Sequence, residues 1–359
     1  MLFDTSKSQI ETTIPPPGAP SNLKRLVSDV ADQLTDINLV SFSGGKDSTT
    51  VLQLVLAALA GTDKKLYIVT ADTLMEIPYF QTYVDGVRGR LQDYIQRHNI
   101  NAEMVTVRPP AKDSFWVGVL GRGYPAAHMG FRWCTGKLKI DPITKFTRSV
   151  TAGREYTVFV GVRSQESELR ARIYKQKSYK PRHYAPVLDW SAHDIWEYLL
   201  TEPCPWGDHS ELVKVYKYSS DECVYGEAQG VCVGNARYGC WACPLQKSSQ
   251  LDMIGMHTGD ERYRELKRFK EALVGMANKT AYRSRIRRNG TVGAGPFLVE
   301  IRKRLHSELK KIEASTGWAL ITPEEEEYIR EHWVIDAEVH NVPDPTQPML
   351  WNVCGEAQR

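Results

Sequence analysis

Ser43-Gly44-Gly45-Lys46-Asp47-Ser48 is the stretch of this chain whose residue types and spacing best suit chemistry. Two glycines let a main chain approach a ligand closely. Ser43 and Ser48 add hydroxyls, Lys46 a cation, and Asp47 a carboxylate able to order the loop or a Mg2+. Phosphate is the ligand such a set favours, because a helix starting here presents unpaired N–H groups and the positive end of its dipole. The common P-loop differs, having a longer run between its first glycine and the Gly-Lys pair.

Thiols are the second resource. Cys223, Cys232, Cys240 and Cys243 read Cys-x8-Cys-x7-Cys-x2-Cys, and four thiolates close a tetrahedral site. Spacing alone does not separate Zn2+ from an iron–sulfur cluster, since both accept four cysteines. Cys134 stands apart among Arg132, Lys137 and Lys139. Positive neighbours lower a thiol pKa, so a thiolate able to carry sulfur as a persulfide is expected there, with a buried structural cysteine as the plainer reading. Cys204 and Cys354 are isolated, and Cys354 is read as a tail residue.

These residues need a frame. Ile37 to Phe42 reads as a strand, Ser48 to Ala60 as a dense apolar helix, Leu66 to Thr70 as a second strand, Tyr79 to His98 as a second helix and Ala102 to Val107 as a third strand. Glu155 to Val160 supplies another buried strand, ending in Gly161-Val162-Arg163, and Ser191 to Asp194 opens a helix with a capping box. Alternation of this kind predicts an α/β fold, a parallel twisted sheet with helices on both faces. Such a sheet presents ligands at its carboxyl edge, where Asp72 also falls, either beside the nucleotide or its metal or as a helix cap. Beyond Trp206 cysteines, glycines and aromatics dominate, and amphipathic helices follow from about Asp260 to Ala277, from about Pro296 to Ala314 and near Glu324 to Glu331. The division expected is residues 1–22 as a flexible lead-in, 23–215 as the nucleotide domain, 216–250 as a metal-bearing Cys-rich insert and 251–359 as a helical C-terminal region.

Composition narrows the class. No stretch approaches a membrane span, and Met1-Leu2-Phe3-Asp4 lacks the basic and apolar regions of a signal peptide, so a cytoplasmic, reducing address without membrane partners is expected. A net charge of +3 does not by itself require nucleic acid, although Tyr282-Arg283-Ser284-Arg285-Ile286-Arg287-Arg288 can touch phosphates or form a solvated basic helix.

The glycine loop resembles the PP-loop of ATP pyrophosphatases, which cleave ATP between its α and β phosphates. Gly161 to Arg170, Ala185 to Trp190 with Asp194 to Tyr198, and Arg132 to Lys139 with Pro142 resemble segments of the sulfonucleotide-reductase (PAPS reductase) branch of that superfamily. That resemblance places Gly161, Arg163 and Arg170 beside the nucleotide, where guanidinium forks suit phosphate or sulfate. The reductases often carry two adjacent cysteines where this chain has Cys134-Thr135. Gly234 to Trp241 looks like the cluster segment of DndC-type proteins, which implies a 4Fe-4S cluster on Cys223, Cys232, Cys240 and Cys243.

Resemblance to DndC- and SspD-type DNA phosphorothioation proteins covers most of the chain. It implies an ATP pyrophosphatase and sulfurtransferase that replaces a non-bridging DNA phosphate oxygen with sulfur in a bacterial defence or restriction-modification system. ATP, Mg2+ and the cluster are the implied cofactors. DNA, a cysteine desulfurase as sulfur donor and other phosphorothioation-system proteins are the implied partners. Catalysis is assigned to Lys46, Asp47 and Cys134. Two other readings are an adenylyl- or phosphoadenylyl-sulfate reductase and a zinc-bearing DNA- or protein-binding scaffold.

Overall fold

The computed structural model of the protein describes residues 23–128, 131–166, 182–219 and 239–343. Five strands form one parallel sheet: β1 (Ile37–Ser41), β2 (Lys65–Ala71), β3 (Ala102–Val107), β4 (Tyr156–Phe159) and β5 (His183–Tyr184). Their order is β3-β2-β1-β4-β5, with Leu39 opposite Tyr67 on one side and Val158 on the other. β1 is central and buried over its first four residues, so it reads as an apolar run rather than an alternation. Its one polar interruption, Asn38, gives its amide to the Thr35 carbonyl at 2.7 Å.

Strand order explains where the site must lie. The chain lays β2 and β3 on one side of β1, then returns to add β4 on the other. Ligands of open α/β sheets bind at the carboxyl ends of strands where this reversal occurs. The turns leaving β1 and β4 are Phe42–Gly45 and Val160–Arg163, the two segments expected to meet a nucleotide.

Helices cover both faces. Val40, Phe42, Leu66 and Ile68 join the main core with α1 (Leu23–Ala31), α2 (Lys46–Leu59) and α3 (Pro78–Arg97). Ile37, Leu39, Val69 and Val158 face the other way onto Ile143, Phe146 and Val150 of α4 (Asp141–Thr151). α5 (Ala192–Thr201) starts with the expected capping box, Ser191 Oγ accepting from Asp194 N. α6 (Ser210–Ser219), α7 (Ser249–Thr258) and α8 (Tyr263–Met276) extend the main core, which also takes in Leu305 and Ile329 of α9 (Val299–Thr316) and α10 (Pro323–Val339).

α9 and α10 are fastened to a wide helical turn at Val117–Gly121. Trp116 and Trp333 donate their indole N–H groups to Leu320 O at 2.6 Å and Leu120 O at 2.7 Å. Arg302, fully buried, pairs with Asp336 at 2.7 Å and also donates to Gly121 O. Breaking one member of such a buried pair strands the other charge, typically at a cost of about 3–5 kcal/mol. α10 runs further than the expected Glu324–Glu331, because Val334, Ile335 and Val339 are exposed and blur the apolar period. The basic run Tyr282–Arg288 is not a helix. Its first residue closes a short 3-10 turn, and the chain then extends so that Arg283 and Ile286 pair with Phe297 and Val292 as isolated bridges. No helix among the described residues is long and apolar enough to cross a membrane.

Candidate nucleotide and thiol site

The loop after β1 is held in shape by its own hydroxyls and by two tyrosines. Ser43 N donates to Ser48 Oγ at 3.2 Å, and Ser48 Oγ donates to Gly45 O at 2.9 Å. Tyr83 OH on α3 donates to Gly44 O at 3.2 Å, while Tyr216 OH on α6 accepts from Lys46 N at 3.1 Å. Gly44 has φ +75°, and a Cβ there would lie 2.6 Å from Val84 Cγ2, so glycine is required on both conformational and steric grounds. Gly45 caps α2 with extended backbone, leaving the first-turn amides to face the loop.

Charge gathers at that helix end. Lys46 is 2% exposed, with Nζ 3.4 Å from Asp47 and 5.0 Å from the centre of the Tyr216 ring. Arg163, also buried, donates Nε to the same Asp47 carboxylate. Gly161 makes this approach possible, since a Cβ on it would sit 2.7 Å from Asp47 C and Ser48 N. Two cations around one carboxylate at a helix N-terminus leave a positive excess suited to phosphate oxygens. Ser43, Gly44, Gly45, Lys46, Asp47, Ser48, Gly161 and Arg163 are thus brought together, whereas Arg170 lies outside the described residues.

A cavity of about 90 Å³ opens beside this loop at the carboxyl edge of β1, β2 and β3, lined by Ser43, Asp72, Glu76, Arg88, Lys139 and Gly239 among others. Asp72 neither caps a helix nor stands unpaired. Its Oδ1 accepts from Leu74 N at 2.9 Å and its Oδ2 from Arg108 Nε at 2.8 Å. Arg88 Nη1 is buried without a hydrogen-bond partner among the described residues, as expected of a donor that a ligand anion would complete. Glu76 binds Thr73 Oγ1 at 2.7 Å and Met75 N at 3.2 Å, and burial raises its pKa despite the Thr73 hydrogen bond and nearby Lys139. Arg88, Glu76, Tyr83 and Tyr216 were not legible as site residues in the sequence. Only the helical position of Arg88, nearly three turns into the apolar-faced helix that starts at Pro78, carried any hint.

Cys134, Cys240 and Cys243 neighbour one another beyond Lys139 and Gly239, which line this cavity. Cys240 is tied to the turn after β2 through Trp241 N, which donates to Met75 O at 2.8 Å, and Ile77 N, which donates to Gly239 O at 3.3 Å. Its Sγ lies 3.3 Å from Thr73 Oγ1, and Cys243 N closes a turn onto Cys240 O at 3.0 Å. Cys134 sits in a short helical turn, Trp133–Thr135. Cys243 is the common neighbour: its thiol raises the pKa of both Cys134 and Cys240. Burial is the larger cause in each, pushing Cys240 up to about 12. The expectation of a low-pKa Cys134 is therefore corrected. Lys139 pulls its pKa down only weakly, and Lys137 is turned to Asp113 at 3.4 Å. Cys223 and Cys232 lie outside the described residues, and among the described residues no three His, Cys, Asp or Glu side chains form a complete metal site. The donor chemistry still fits a thiophilic centre, because buried neutral thiols kept from ionising are what ligation to iron or zinc reverses. Cys204 is separate from this group, beside Tyr83 and Tyr198.

Residues 37–208 match the family described as the phosphoadenosine phosphosulfate reductase domain. An uncharacterized protein of Methanocaldococcus jannaschii is 30% identical over 220 residues, 60% of this chain and 38% of its own length. An uncharacterized nin region protein of Escherichia phage lambda is 28% identical over 185 residues, 46% of this chain and 60% of its own. The chain therefore spans less than two thirds of the curated relatives it matches. Among solved structures, a PAPS reductase of Candida auris in complex with phosphate aligns over 61% of this chain and 88% of its own, at 12% identity and a TM-score of 0.35. The U34-tRNA thiolase of Methanococcus maripaludis, solved with its 4Fe-4S cluster, aligns over 81% and 87%, at 13% identity and a TM-score of 0.30.

Proposed function

We propose that this protein binds Mg-ATP at Ser43–Ser48, cleaves it to AMP and pyrophosphate, and uses the activated phosphate to place sulfur in the DNA backbone. One observation carries the reading: a single cavity has the phosphate-type loop, through Ser43, on one wall, and Lys139 and Gly239, the flanks of the thiol group, on another. Nucleotide activation and sulfur handling can then act on one substrate atom.

A non-bridging phosphodiester oxygen leaves only after it is converted to a better leaving group. That oxygen attacks the α-phosphorus of ATP, and pyrophosphate departs. Lys46, Arg163, Arg88 and the amides at the start of α2 stabilise the charge that builds on the phosphates. Sulfur arrives on Cys134 as a persulfide from a cysteine desulfurase. Its terminal sulfur attacks the DNA phosphorus, and AMP leaves with the oxygen it carried. A thiol reductant then splits the S–S bond, so one disulfide forms for each sulfur installed.

Mg2+, when bound with ATP, screens the phosphate charge. Cys240 and Cys243, completed by Cys223 and Cys232 or by Cys134, would hold a 4Fe-4S cluster, whose iron supplies a thiophilic Lewis acid. Other phosphorothioation-system proteins would select the DNA site.

The test combines anaerobic protein, Mg-ATP, DNA, a cysteine desulfurase and cysteine, with nuclease digestion and mass spectrometry of the dinucleotides. Phosphorothioate dinucleotides in the wild type and their loss in Lys46→Ala are expected. Unmodified DNA under these conditions would sink the assignment. The matched domain type supports a second reading, a sulfonucleotide reductase, which would show itself as thioredoxin-dependent sulfite release from adenylyl or phosphoadenylyl sulfate.

A further inference from the structure

A second cavity, separate from the nucleotide pocket, is much roomier. It is a cleft of about 880 Å³ lined by residues far apart in the chain, from 123–128, 131–141 and 277–296. One wall is aromatic. Tyr124 stands edge-on to Phe131 and Trp133, with ring centres 6.1 and 5.1 Å away, and Phe131 is 38% exposed. Trp133 is locked in place: it stacks on Phe115 at 5.6 Å, donates to Pro125 O at 3.3 Å, and fills the space where a Cβ on Gly118 would be.

The facing wall is basic and braced. Arg283 holds the loop 277–295 together, donating to the carbonyls of Ala277, Ala294 and Gly295, so its charge is spent on shape. Arg288 is likewise engaged by Asp336 and Arg122 O. Arg287 differs, since its guanidinium makes no ion pair or hydrogen bond among the described residues and lies exposed against Gly293, where a Cβ would come within 2.6 Å of Nε. Lys137 adds a second half-exposed cation on the aromatic side.

Flat π faces opposite the uncommitted guanidinium of Arg287 match a base and its phosphate. The cleft is also in the right place: Trp133, Gly136 and Lys137 line it, and Cys134 lies between them in the chain.

We infer that this cleft is the seat of a single-stranded DNA segment, with an unstacked base against Phe131 and Tyr124 and its phosphate on Arg287, delivering the backbone toward Cys134. The inference rests on the proposed reading of DNA as substrate and adds that the strand is bound unpaired. Duplex B-DNA buries the base faces that this wall would need.

The test is fluorescence anisotropy with a labelled oligo-dT of about 12 nucleotides, a length that stacking grooves cover, over a range of salt and without ATP. An RNA and a duplex of equal length run in parallel. Phe131→Ala should weaken single-strand binding roughly tenfold, and Arg287→Ala should make its salt dependence shallower by about one phosphate contact. Both residues are exposed, so circular dichroism should be unchanged. Wild-type binding and salt slope in both variants would overturn the cleft, and so would tighter binding of the duplex or of RNA. Pyrophosphate release is measured separately on the wild type. If it is absent while both substitutions alter strand binding, the cleft stands and the ATP reading falls.

Discussion

Two cavities of this protein are built on opposite principles. At the phosphate-type loop charged groups answer one another before any ligand arrives: Asp47 takes Arg163 and Lys46, and Asp72 takes Arg108. The space left is about 90 Å³, and the loop is pinned by Tyr83 and Tyr216. The aromatic cleft is roughly ten times larger by volume, at about 880 Å³, and keeps Arg287 unengaged. A preorganised loop with a fixed positive excess suits a compact anionic group whose charge changes during reaction. An open wall of π faces suits a long ligand that must be held and not transformed.

That contrast breaks most sharply at Lys46. Lys46→Ala should lower the rate of ATP cleavage by at least about 100-fold, the usual consequence of removing one preorganised charge donor, as read by steady-state product formation. A loss of only a few-fold would mean that the loop binds without catalysing.

The loop's support should be acid-sensitive in a way the cleft is not. His209 is buried against Gln53 of α2 at 2.6 Å, and burial lowers its pKa to about 4, below the ordinary 6.5. Between these values the unfolded chain binds a proton that the folded chain refuses, so stability falls as pH drops from 6.5 toward 4. About 3 kcal/mol should be lost over that window, followed by urea unfolding at each pH. His209→Gln should flatten that profile, and an unchanged profile would place the sensitivity elsewhere.

Arg88 sharpens the comparison, being a buried donor awaiting a partner at the small site as Arg287 is an exposed one at the large site. Arg88→Gln should raise KM for ATP about tenfold, in line with one charge-assisted hydrogen bond, with a smaller change in kcat. An unaltered KM would remove it from the phosphate set. The smallest effect is expected of Tyr216→Phe, which deletes the oxygen that accepts from Lys46 N and should cost about 1 kcal/mol of stability, visible as a lowered urea midpoint.

Legibility followed the same divide. Ser43–Ser48 could be read from the sequence because strand, glycines and helix are contiguous and each constrains its neighbour. Gly161 and Arg163 could be placed beside them only through the resemblance, since nothing local says that β4 lies next to β1. Tyr216, Glu76 and Arg88 reach the site by packing, and sequence periodicity reports only that such residues lie on helices or in turns. Cys134 shows the limit on chemistry: three cations within five residues argue for a thiolate, yet burial and Cys243 outweigh them. The basic run at 282–288 misled in a related way, because Arg283 and Arg288 turn their charge to backbone carbonyls and Asp336 and leave Arg287 for a ligand.

The central claim is that the loop at Ser43–Ser48 splits ATP between its α and β phosphates. Anaerobic incubation of the full chain with Mg-ATP, DNA and a sulfur donor, with AMP, ADP, pyrophosphate and orthophosphate resolved by ion-exchange chromatography, tests it most directly. Equal amounts of AMP and pyrophosphate are predicted. ADP with orthophosphate, or no cleavage at all, would contradict it.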